Sequence, residues 1–303
     1  MPHHLHEVRP GKSAHRAVRT VFEAPILDER KWAKIPEIDA DVFFLDLEDS
    51  VPPARKEEAR QVALGHLRDP SYFQGRRTLA RPNHLTTPWG RDDVVAFAEA
   101  GVELLAYPKL SSLEELEELV ELLAAHGARP DVYAIVETPG SLVDLARIAA
   151  HPQVVSLMFG PGDLSVEMEL PLFDPDGELN RVFAPLKAQA VTAAHAALVG
   201  VTDIVYAPDY RDLDDVRRRA EESRRRGFTA MACFYPPHVP ILNEVFTPSP
   251  AEVDVALELV DTYEAVVAEG RPAALTEDGK PILVHDYEKA KALIARARAT
   301  RSA

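Results

Sequence analysis

The feature that most constrains the fold is an alternation of short apolar runs with longer amphipathic stretches along most of the chain. This alternation is typical of β-α units that build a parallel sheet. The runs are AVRTVF (17–22), DVFFLDL (41–47), RRTLAR (76–81), VELLAY (102–107), DVYAIV (131–136), VVSLMFG (154–160), TDIVYA (202–207) and TAMACFY (229–235). Eight repeats in roughly 230 residues, with no Pro/Gly/Ser-rich linker between them, predict one closed (β/α)8 TIM barrel.

The chain is predicted to have three parts. Residues 1–17 mix His, Pro, Gly and Lys with little apolar periodicity, which predicts a flexible N-terminal arm. Residues 18–250 form the expected barrel. Residues 251–303 exceed what a barrel needs and predict a C-terminal extension that acts as a lid, an oligomerisation arm or both. In and before it we expect helices at 239–245, 251–269 and 288–298, with a loop or short hairpin before the last.

Composition excludes several classes of protein. The chain has 34 Lys and Arg against 49 Asp and Glu, and its net charge of −15 repels nucleic acids and anionic membranes. An anionic ligand must therefore find a local basic group. A single cysteine, Cys233, cannot form an internal disulfide, and the chain does not open with a signal-like segment, so we expect a cytoplasmic protein. The least polar stretch, 188–207, is interrupted by polar residues, so no membrane span is expected.

Charged side chains follow nearly every apolar run. In a TIM barrel, the residues that carry chemistry lie at the carboxyl ends of the strands. The charged residues at these ends include Glu48, Asp49, Arg81, Lys109, Glu137, Asp163 and Asp209. Strand ends are also where a chain returns to water, so for Lys109 or Asp209 alone a simple surface role explains the pattern equally well.

Glu137 and Asp163 fall at the ends of consecutive strands, where two carboxylates would converge and repel each other. A hard divalent cation, Mg²⁺ or alternatively Mn²⁺, would neutralise them, since Mg²⁺ accepts one or two protein carboxylates with water and substrate oxygens. The turn between them contains Gly160, Pro161 and Gly162, which lets backbone N–H groups approach an oxyanion. Arg81 can bind a carboxylate with its planar guanidinium. The combination indicates metal-assisted chemistry on a small keto or hydroxy acid.

Six ordered stretches carry a family resemblance. They are DVFFLDLEDSVPPARKEEAR (41–60), ARPNHLTTPWGRDDV (80–94), AYPKLSSLEEL (106–116), IVETPGSL (135–142), LMFGPGDLS (157–165) and GFTAMACFYPPHVPILNEVFTPS (227–249). Together they resemble the citrate lyase β-subunit-like proteins of the HpcH/HpaI aldolase superfamily, which also contains the malyl-CoA and citramalyl-CoA lyases. The resemblance runs from about Arg19 to Ser249.

The resemblance implies a role for each candidate residue. Glu137 and Asp163 would bind Mg²⁺, and Arg81 would hold the substrate carboxylate. Glu48 and Asp49 would lie near the waters of the metal, which makes them, with Arg81, the expected catalytic residues. Gly160, Pro161 and Gly162 would border the substrate. Arg19 and Lys56 would approach the phosphates of coenzyme A, although an ordinary surface role explains each of them at least as well.

The resemblance also implies an activity and partners. Relatives reversibly cleave a 3-hydroxyacyl-CoA thioester, such as malyl-CoA or citramalyl-CoA, into a 2-oxo acid and an acyl-CoA. The expected partners are these small molecules, without nucleic acid or membrane, and a homotrimer or homohexamer is expected from the family.

Three departures from the family pattern affect the expected chemistry. The chain has VFEAP where relatives have FVPG, which places Glu23 near the barrel mouth. Tyr235 replaces the His of an I-H-P-x-Q motif, and Leu283 of GKPIL replaces a catalytic Asp. Asp286 or His285 could substitute for that Asp. These changes touch thioester binding and proton transfer but leave the metal and carboxylate residues intact.

The departures leave other activities open. The chain could be an aldolase for free hydroxy acids, a thioester hydrolase, or a non-catalytic subunit that binds an acyl carrier partner. Retention of Glu137, Asp163 and Arg81 argues against a non-catalytic scaffold.

Overall fold

The computed structural model describes residues 15–269, 274–276 and 279–301. The chain divides into two compact units, the first ending at Asn243 and the second beginning at Glu244. Residues 1–14 of the predicted arm lie outside the described residues. Of the last three residues of that segment, His15 and Ala17 are buried, and His15 Nδ1 lies 3.2 Å from the hydroxyl of Tyr133.

Eight parallel strands of the first unit close into a barrel in chain order. They are β1 (Thr20–Ala24), β2 (Val42–Asp46), β3 (Arg77–Arg81), β4 (Leu104–Tyr107), β5 (Asp131–Val136), β6 (Val154–Phe159), β7 (Gly200–Ile204) and β8 (Ala230–Cys233). Each apolar run of the sequence supplies one strand, so the predicted (β/α)8 barrel is confirmed.

Helices follow the strands of the barrel. They are α1 (Glu29–Trp32), α2 (Lys56–Leu67), α3 (Gly90–Glu99), α4 (Leu113–Ala125), α5 (Pro139–Val143), α6 (Leu145–Ala150), α7 (Pro161–Glu167), α8 (Phe183–Ala197), α9 (Leu213–Arg225) and α10 (His238–Phe246). Short 3₁₀ helices lie at Ile35–Glu37, Pro53–Arg55 and Pro70–Phe73.

Local signals in the sequence account for where several helices begin and end. The Ser112 side chain accepts a hydrogen bond from Glu115 N at the start of α4, which satisfies one of the free N–H groups there. Gly127, just past the end of α4, has φ of 77°, a left-handed conformation that glycine adopts without steric cost. The helical residues 139–150 are divided between α5 and α6 at Asp144, whose carboxylate accepts a hydrogen bond of 2.7 Å from Leu113 N.

The second unit is built from helices and a short hairpin. It contains α11 (Pro250–Ala268), the antiparallel strands β9 (Ala274–Leu275) and β10 (Pro281–Ile282), and α12 (Val284–Arg301). Within it, the rings of Tyr263 and Tyr287 stack with their centroids 4.6 Å apart. The C-terminal helical extension expected from the sequence is therefore observed. Across the described residues, no helix combines the length and apolar character that crossing a membrane requires.

The barrel interior has an apolar layer with a polar layer above it. Successive side chains of a strand point to opposite faces, so residues two apart share the barrel-facing side. Four buried core residues are each followed two positions later by a charged residue near the carboxyl end of the strand: Val21 by Glu23, Phe44 by Asp46, Leu79 by Arg81 and Ile135 by Glu137. The core holds the strands in register, at about 1.5–3 kcal/mol for each large apolar side chain buried, and this register fixes the polar layer.

Candidate active site

A cavity of about 230 Å³ lies among the residues at the carboxyl ends of the strands. Its polar lining consists of Glu23, Asp49, Arg81, Glu137, Asp163, Thr202, Asp203 and Tyr206, and its apolar walls include Phe44, Ile135, Met158 and Phe234. This is the end of a TIM barrel at which catalytic residues collect. The cavity is therefore the candidate active site.

Glu137 and Asp163 both line this cavity, as the sequence predicts. Glu137 directly follows β5, Asp163 lies in the first turn of α7 after β6, and β5 pairs with β6. Glu137 is buried, and its Oε1 accepts a hydrogen bond of 2.6 Å from Lys109 N. Burial raises the pKa of Glu137 to about 8, although Arg81 acts in the opposite direction. A buried carboxylate beside a second carboxylate is the setting in which a bound cation is favourable.

The turn between β6 and α7 packs so closely that it requires glycine. A Cβ on Gly160 would lie 2.8 Å from Glu137 Cβ and 2.9 Å from Glu137 Oε2. A Cβ on Gly162 would lie 2.6 Å from Tyr206 Oη. Pro161 occupies the first position of α7, where its missing N–H costs nothing. The absence of side chains at 160 and 162 lets the turn approach the residues of the cavity.

Arg81 is the last residue of β3 and lines the cavity as expected, and carboxylates hold its guanidinium in place. Arg81 Nε donates to Asp46 Oδ1 at 2.5 Å, and Arg81 Nη1 lies 3.2 Å from Glu48 Oε2. Arg81 Nη2 lies 4.0 Å from Glu23 Oε1. Burial acts to raise the pKa of Asp46, but the Arg81 guanidinium outweighs it and lowers that pKa to about 2. The cation that would bind a substrate carboxylate is therefore fixed before substrate arrives.

Glu48 and Asp49 lie beside Arg81, and Lys109 connects them to Asp163. Lys109 Nζ lies 2.7 Å from Glu48 Oε1, 3.6 Å from Asp49 Oδ1 and 3.8 Å from Asp163 Oδ1. The Glu48 side chain is nearly buried, and this burial raises its pKa despite the opposing charges of Arg81 and Lys109. The Asp49 side chain is 53% exposed and lines the cavity. Of this pair, Asp49 is the carboxylate that reaches the cavity.

Two predicted substrate-binding residues are not brought together with the others. Arg19 precedes β1, at the amino end of the barrel, and its guanidinium pairs with Asp41 at 2.7 Å. Lys56 is buried, and its Nζ donates to the backbone carbonyls of Leu47 and Glu48 at 2.8 and 2.7 Å. Both cations are therefore engaged by protein groups and neither lines the cavity, and their approach to coenzyme A phosphates stays a prediction. Arg19 lies at the other end of the strand, and the ammonium of Lys56 is used to hold the loop that carries Glu48.

Several residues of the site were missed or given no role by the sequence reasoning. Asp46 fixes Arg81, Lys109 joins the carboxylates, and Tyr206 and Phe234 line the cavity. The alternation of side chains along a strand was the available signal. Asp46, Tyr206 and Phe234 each lie two positions after a residue that packs in the barrel core, and residues two apart on a strand share one face. The prediction from the sequence relied instead on charged residues at or just after the end of each run, such as Glu48, Asp49 and Asp209.

The departures from the family pattern have distinct structural outcomes. Glu23 lines the cavity, and burial raises its pKa to about 7 while Arg81 acts to lower it. Tyr235 packs its ring against His238, with centroids 5.2 Å apart, and the neighbouring Phe234 faces the cavity instead. In the second unit, Leu283 is half exposed and its N–H donates to Asp286 Oδ2 at 3.1 Å.

Known proteins are similar to this chain in sequence. The sequence pattern of the HpcH/HpaI aldolase/citrate lyase family matches residues 25–236, more than two thirds of the chain. The chain belongs to this family. It is 33% identical over 291 residues to the (3S)-malyl-CoA thioesterase of Cereibacter sphaeroides, covering 94% of this chain and 97% of that protein. It is 27% identical over 291 residues to the L-malyl-CoA/beta-methylmalyl-CoA lyase of Rhodobacter capsulatus, covering 88% and 90%. The family resemblance drawn from the sequence motifs is confirmed.

A solved structure agrees with both the fold and the family. The protein CitE from Mycobacterium tuberculosis, crystallised in complex with magnesium, acetoacetate and coenzyme A, superposes with a TM-score of 0.76 at 25% identity. The match covers 93% of this chain and 99% of CitE.

The donor set of this HpcH/HpaI family member fits a magnesium ion. Among the described residues, no group of three or more His, Cys, Asp or Glu side chains is arranged around a metal position. Glu137 and Asp163 supply two carboxylates facing one cavity, and Mg²⁺ completes such a shell with water and substrate oxygens. The close approach of Gly160 to Glu137 Oε2 leaves no side chain to block that position.

Proposed function

We propose that this protein is a Mg²⁺-dependent carbon–carbon lyase that cleaves or forms a 3-hydroxyacyl-CoA thioester of the malyl-CoA or citramalyl-CoA class. The observation that carries the proposal is one cavity lined by Glu137, Asp163 and the fixed guanidinium of Arg81. The products of cleavage would be a 2-oxo acid and an acyl-CoA. The names of the relatives support this substrate class.

The charge of the cavity supports the need for a cation. The acids Glu23, Asp49, Glu137 and Asp163 line it, against the guanidinium of Arg81 and the nearby ammonium of Lys109, while the Asp203 carboxylate is paired with Lys187 Nζ at 2.7 Å. An anionic hydroxy acid would be repelled by this lining. Bound at Glu137 and Asp163, Mg²⁺ would offset the charge and polarise the hydroxyl or carbonyl oxygen of the acid.

The residues of the chain would divide the remaining work. Arg81 would hold the carboxylate of the acid, because Asp46 and Glu48 fix its Nε and Nη1, whereas Nη2 has only the more distant Glu23 Oε1, at 4.0 Å, as a carboxylate neighbour. Asp49 would accept the proton of the substrate hydroxyl, because its half-exposed carboxylate lines the cavity. As that proton leaves, the new carbonyl forms and the carbon–carbon bond breaks, so the acyl-CoA fragment departs as an enolate that must take up a proton.

Thioester hydrolysis is the second candidate, and two observations favour it. The Cereibacter sphaeroides relative is named a (3S)-malyl-CoA thioesterase. Leu283 stands where the family resemblance places a catalytic Asp, and Asp286 nearby accepts from the backbone of Leu283. A hydrolase would use the same cavity for the acid, with water attacking the thioester carbonyl carbon and coenzyme A leaving as the thiol.

The test is a product analysis. Purified protein with Mg²⁺ would be given malyl-CoA, citramalyl-CoA and the matching free acids, with products followed by mass spectrometry. We expect a 2-oxo acid with a shorter acyl-CoA, and no turnover by Glu137→Gln while the exposed-helix variant Glu117→Gln keeps full activity.

Each other outcome overturns part of the proposal. Release of free coenzyme A together with the intact hydroxy acid would show that the protein is a thioester hydrolase and not a lyase. Cleavage of the free acids, without cleavage of the thioesters, would show that the protein is a coenzyme A-independent aldolase. Absence of any turnover would overturn the proposed function altogether.

A further inference from the structure

Tyr206 lies in the candidate active site without a role in the chemistry described above. It follows the last residue of β7, Ile204, by two positions, so both side chains are on the barrel-facing side. Tyr206 lines the same cavity as Glu137 and Asp163. Its hydroxyl lies against the β6–α7 turn, because a Cβ built on Gly162 would be 2.6 Å from Tyr206 Oη.

The hydroxyl of Tyr206 is available to a ligand. In the described part of the chain, the structure shows no hydrogen bond between Tyr206 Oη and a side-chain or backbone group. Apart from Tyr206, the side chains of the lining that carry N–H or O–H donors, when the carboxylates are ionised, are Arg81 and Thr202, and both already contact protein groups. Arg81 pairs with carboxylates, and Thr202 Oγ1 lies 3.5 Å from Ser156 Oγ. The carboxylates of the lining accept but do not donate when ionised.

We propose that Tyr206 is a catalytic residue that donates a hydrogen bond to the carbonyl oxygen of the substrate thioester. The inference rests on the proposed function, since it requires a thioester in this cavity. In carbon–carbon cleavage, the electron pair of the breaking bond moves into the thioester group and places negative charge on this oxygen. In hydrolysis, addition of water to the thioester carbon places the charge on the same oxygen. The donor therefore serves either reaction, and no proton has to leave Tyr206.

The proposed hydrogen bond would strengthen in the transition state. The thioester carbonyl oxygen of the ground state is a weak hydrogen-bond acceptor. The oxygen of the enolate, or of the tetrahedral intermediate in hydrolysis, carries negative charge and binds a donor more strongly. Loss of one such donor typically lowers kcat by about 10²–10³-fold. The acid part of the substrate would still be bound by Arg81 and by the cation site at Glu137 and Asp163. The KM should therefore change little.

The experiment compares Tyr206→Phe with the wild-type protein on the thioester that the wild type converts, in the presence of Mg²⁺. We expect kcat to fall at least 100-fold, with KM within about threefold. The melting temperature should be unchanged, since the lost hydroxyl has no protein partner to leave unsatisfied. Tyr72→Phe is the matched control. Tyr72 lies in the 3₁₀ helix before β3, outside the cavity, and its hydroxyl donates a hydrogen bond to the carbonyl of Trp32. It should keep wild-type kcat.

The outcomes separate this inference from the proposed function. A wild-type enzyme that turns over a thioester, with Tyr206→Phe retaining more than half of kcat, would overturn the inference and leave the function standing. A raised KM at unchanged kcat would also overturn it, because the contact would then act on the ground state. A wild-type protein without turnover of any thioester would overturn both.

Discussion

Replacement of Glu23 by Gln is expected to stabilise the metal-free protein at alkaline pH. Glu23 lines the cavity near Arg81, Asp46 and Asp49, and burial raises its pKa from an ordinary 4.5 to about 7. Because the folded-state pKa lies above the unfolded one, folding takes up a proton between these values. The ionised carboxylate therefore costs no stability below about pH 4.5, an increasing amount up to pH 7, and its full amount above.

The magnitude follows from this difference. One pKa unit corresponds to about 1.4 kcal/mol, so a rise of the pKa from 4.5 to about 7 makes the full cost of ionised Glu23 about 3.5 kcal/mol. The side chain is 30% exposed, and solvent screening reduces the cost, so we expect about 1–2 kcal/mol. Gln resembles the protonated acid in shape and removes this cost. At pH 5 the expected gain is smaller, about 0.5–0.8 kcal/mol.

Urea unfolding in EDTA at pH 5 and pH 8.5 measures the effect, since a bound cation would alter the charge around Glu23. We expect Glu23→Gln to raise the free energy of unfolding at pH 8.5 with an unchanged m-value. Glu117→Gln, the same chemical change on the exposed face of α4, is the control and should have no effect at either pH. A Glu23→Gln gain that is absent, negative or equal at both pH values would refute the reasoning.

Further predictions concern the metal ligands, the glycine turn and the buried lysine. Glu137→Gln and Asp163→Asn should each abolish turnover in Mg²⁺, and full activity in either variant would eliminate the metal-site hypothesis. Gly160→Ala should lower kcat/KM at least tenfold, because the new Cβ would lie under 3 Å from Glu137. Gly65→Ala, whose new Cβ has no atom within 4 Å, should leave kcat/KM unchanged. Lys56→Met should lower the free energy of unfolding by about 2–3 kcal/mol, measured with urea, since it removes two hydrogen bonds to loop carbonyls; an unchanged value would contradict the positioning role.

Side-chain parity explains which site residues could be predicted from the sequence. Glu137 stands immediately after one apolar run and Asp163 three residues after the next. Because the carboxyl ends of neighbouring parallel strands meet at one end of a barrel, predicting their convergence required only the strand assignment. Arg81 was found in the same way. Asp46 was passed over because the more prominent Glu48 and Asp49 follow it, although Asp46 is the residue that holds Arg81 at 2.5 Å.

The sequence by itself determined the barrel, because alternating apolar and amphipathic segments can bury their faces in few ways. It also determined that acids and Arg81 gather at one end. Only the tertiary structure decided which cations are free to meet a ligand. Lys56 bonds to the carbonyls of its own loop and Arg19 pairs with Asp41 at the opposite end. It also brought Tyr206 against the turn at Gly162. The reason is that strand periodicity is local, whereas the partner of a charge or hydroxyl depends on barrel closure, which joins residues far apart in the chain.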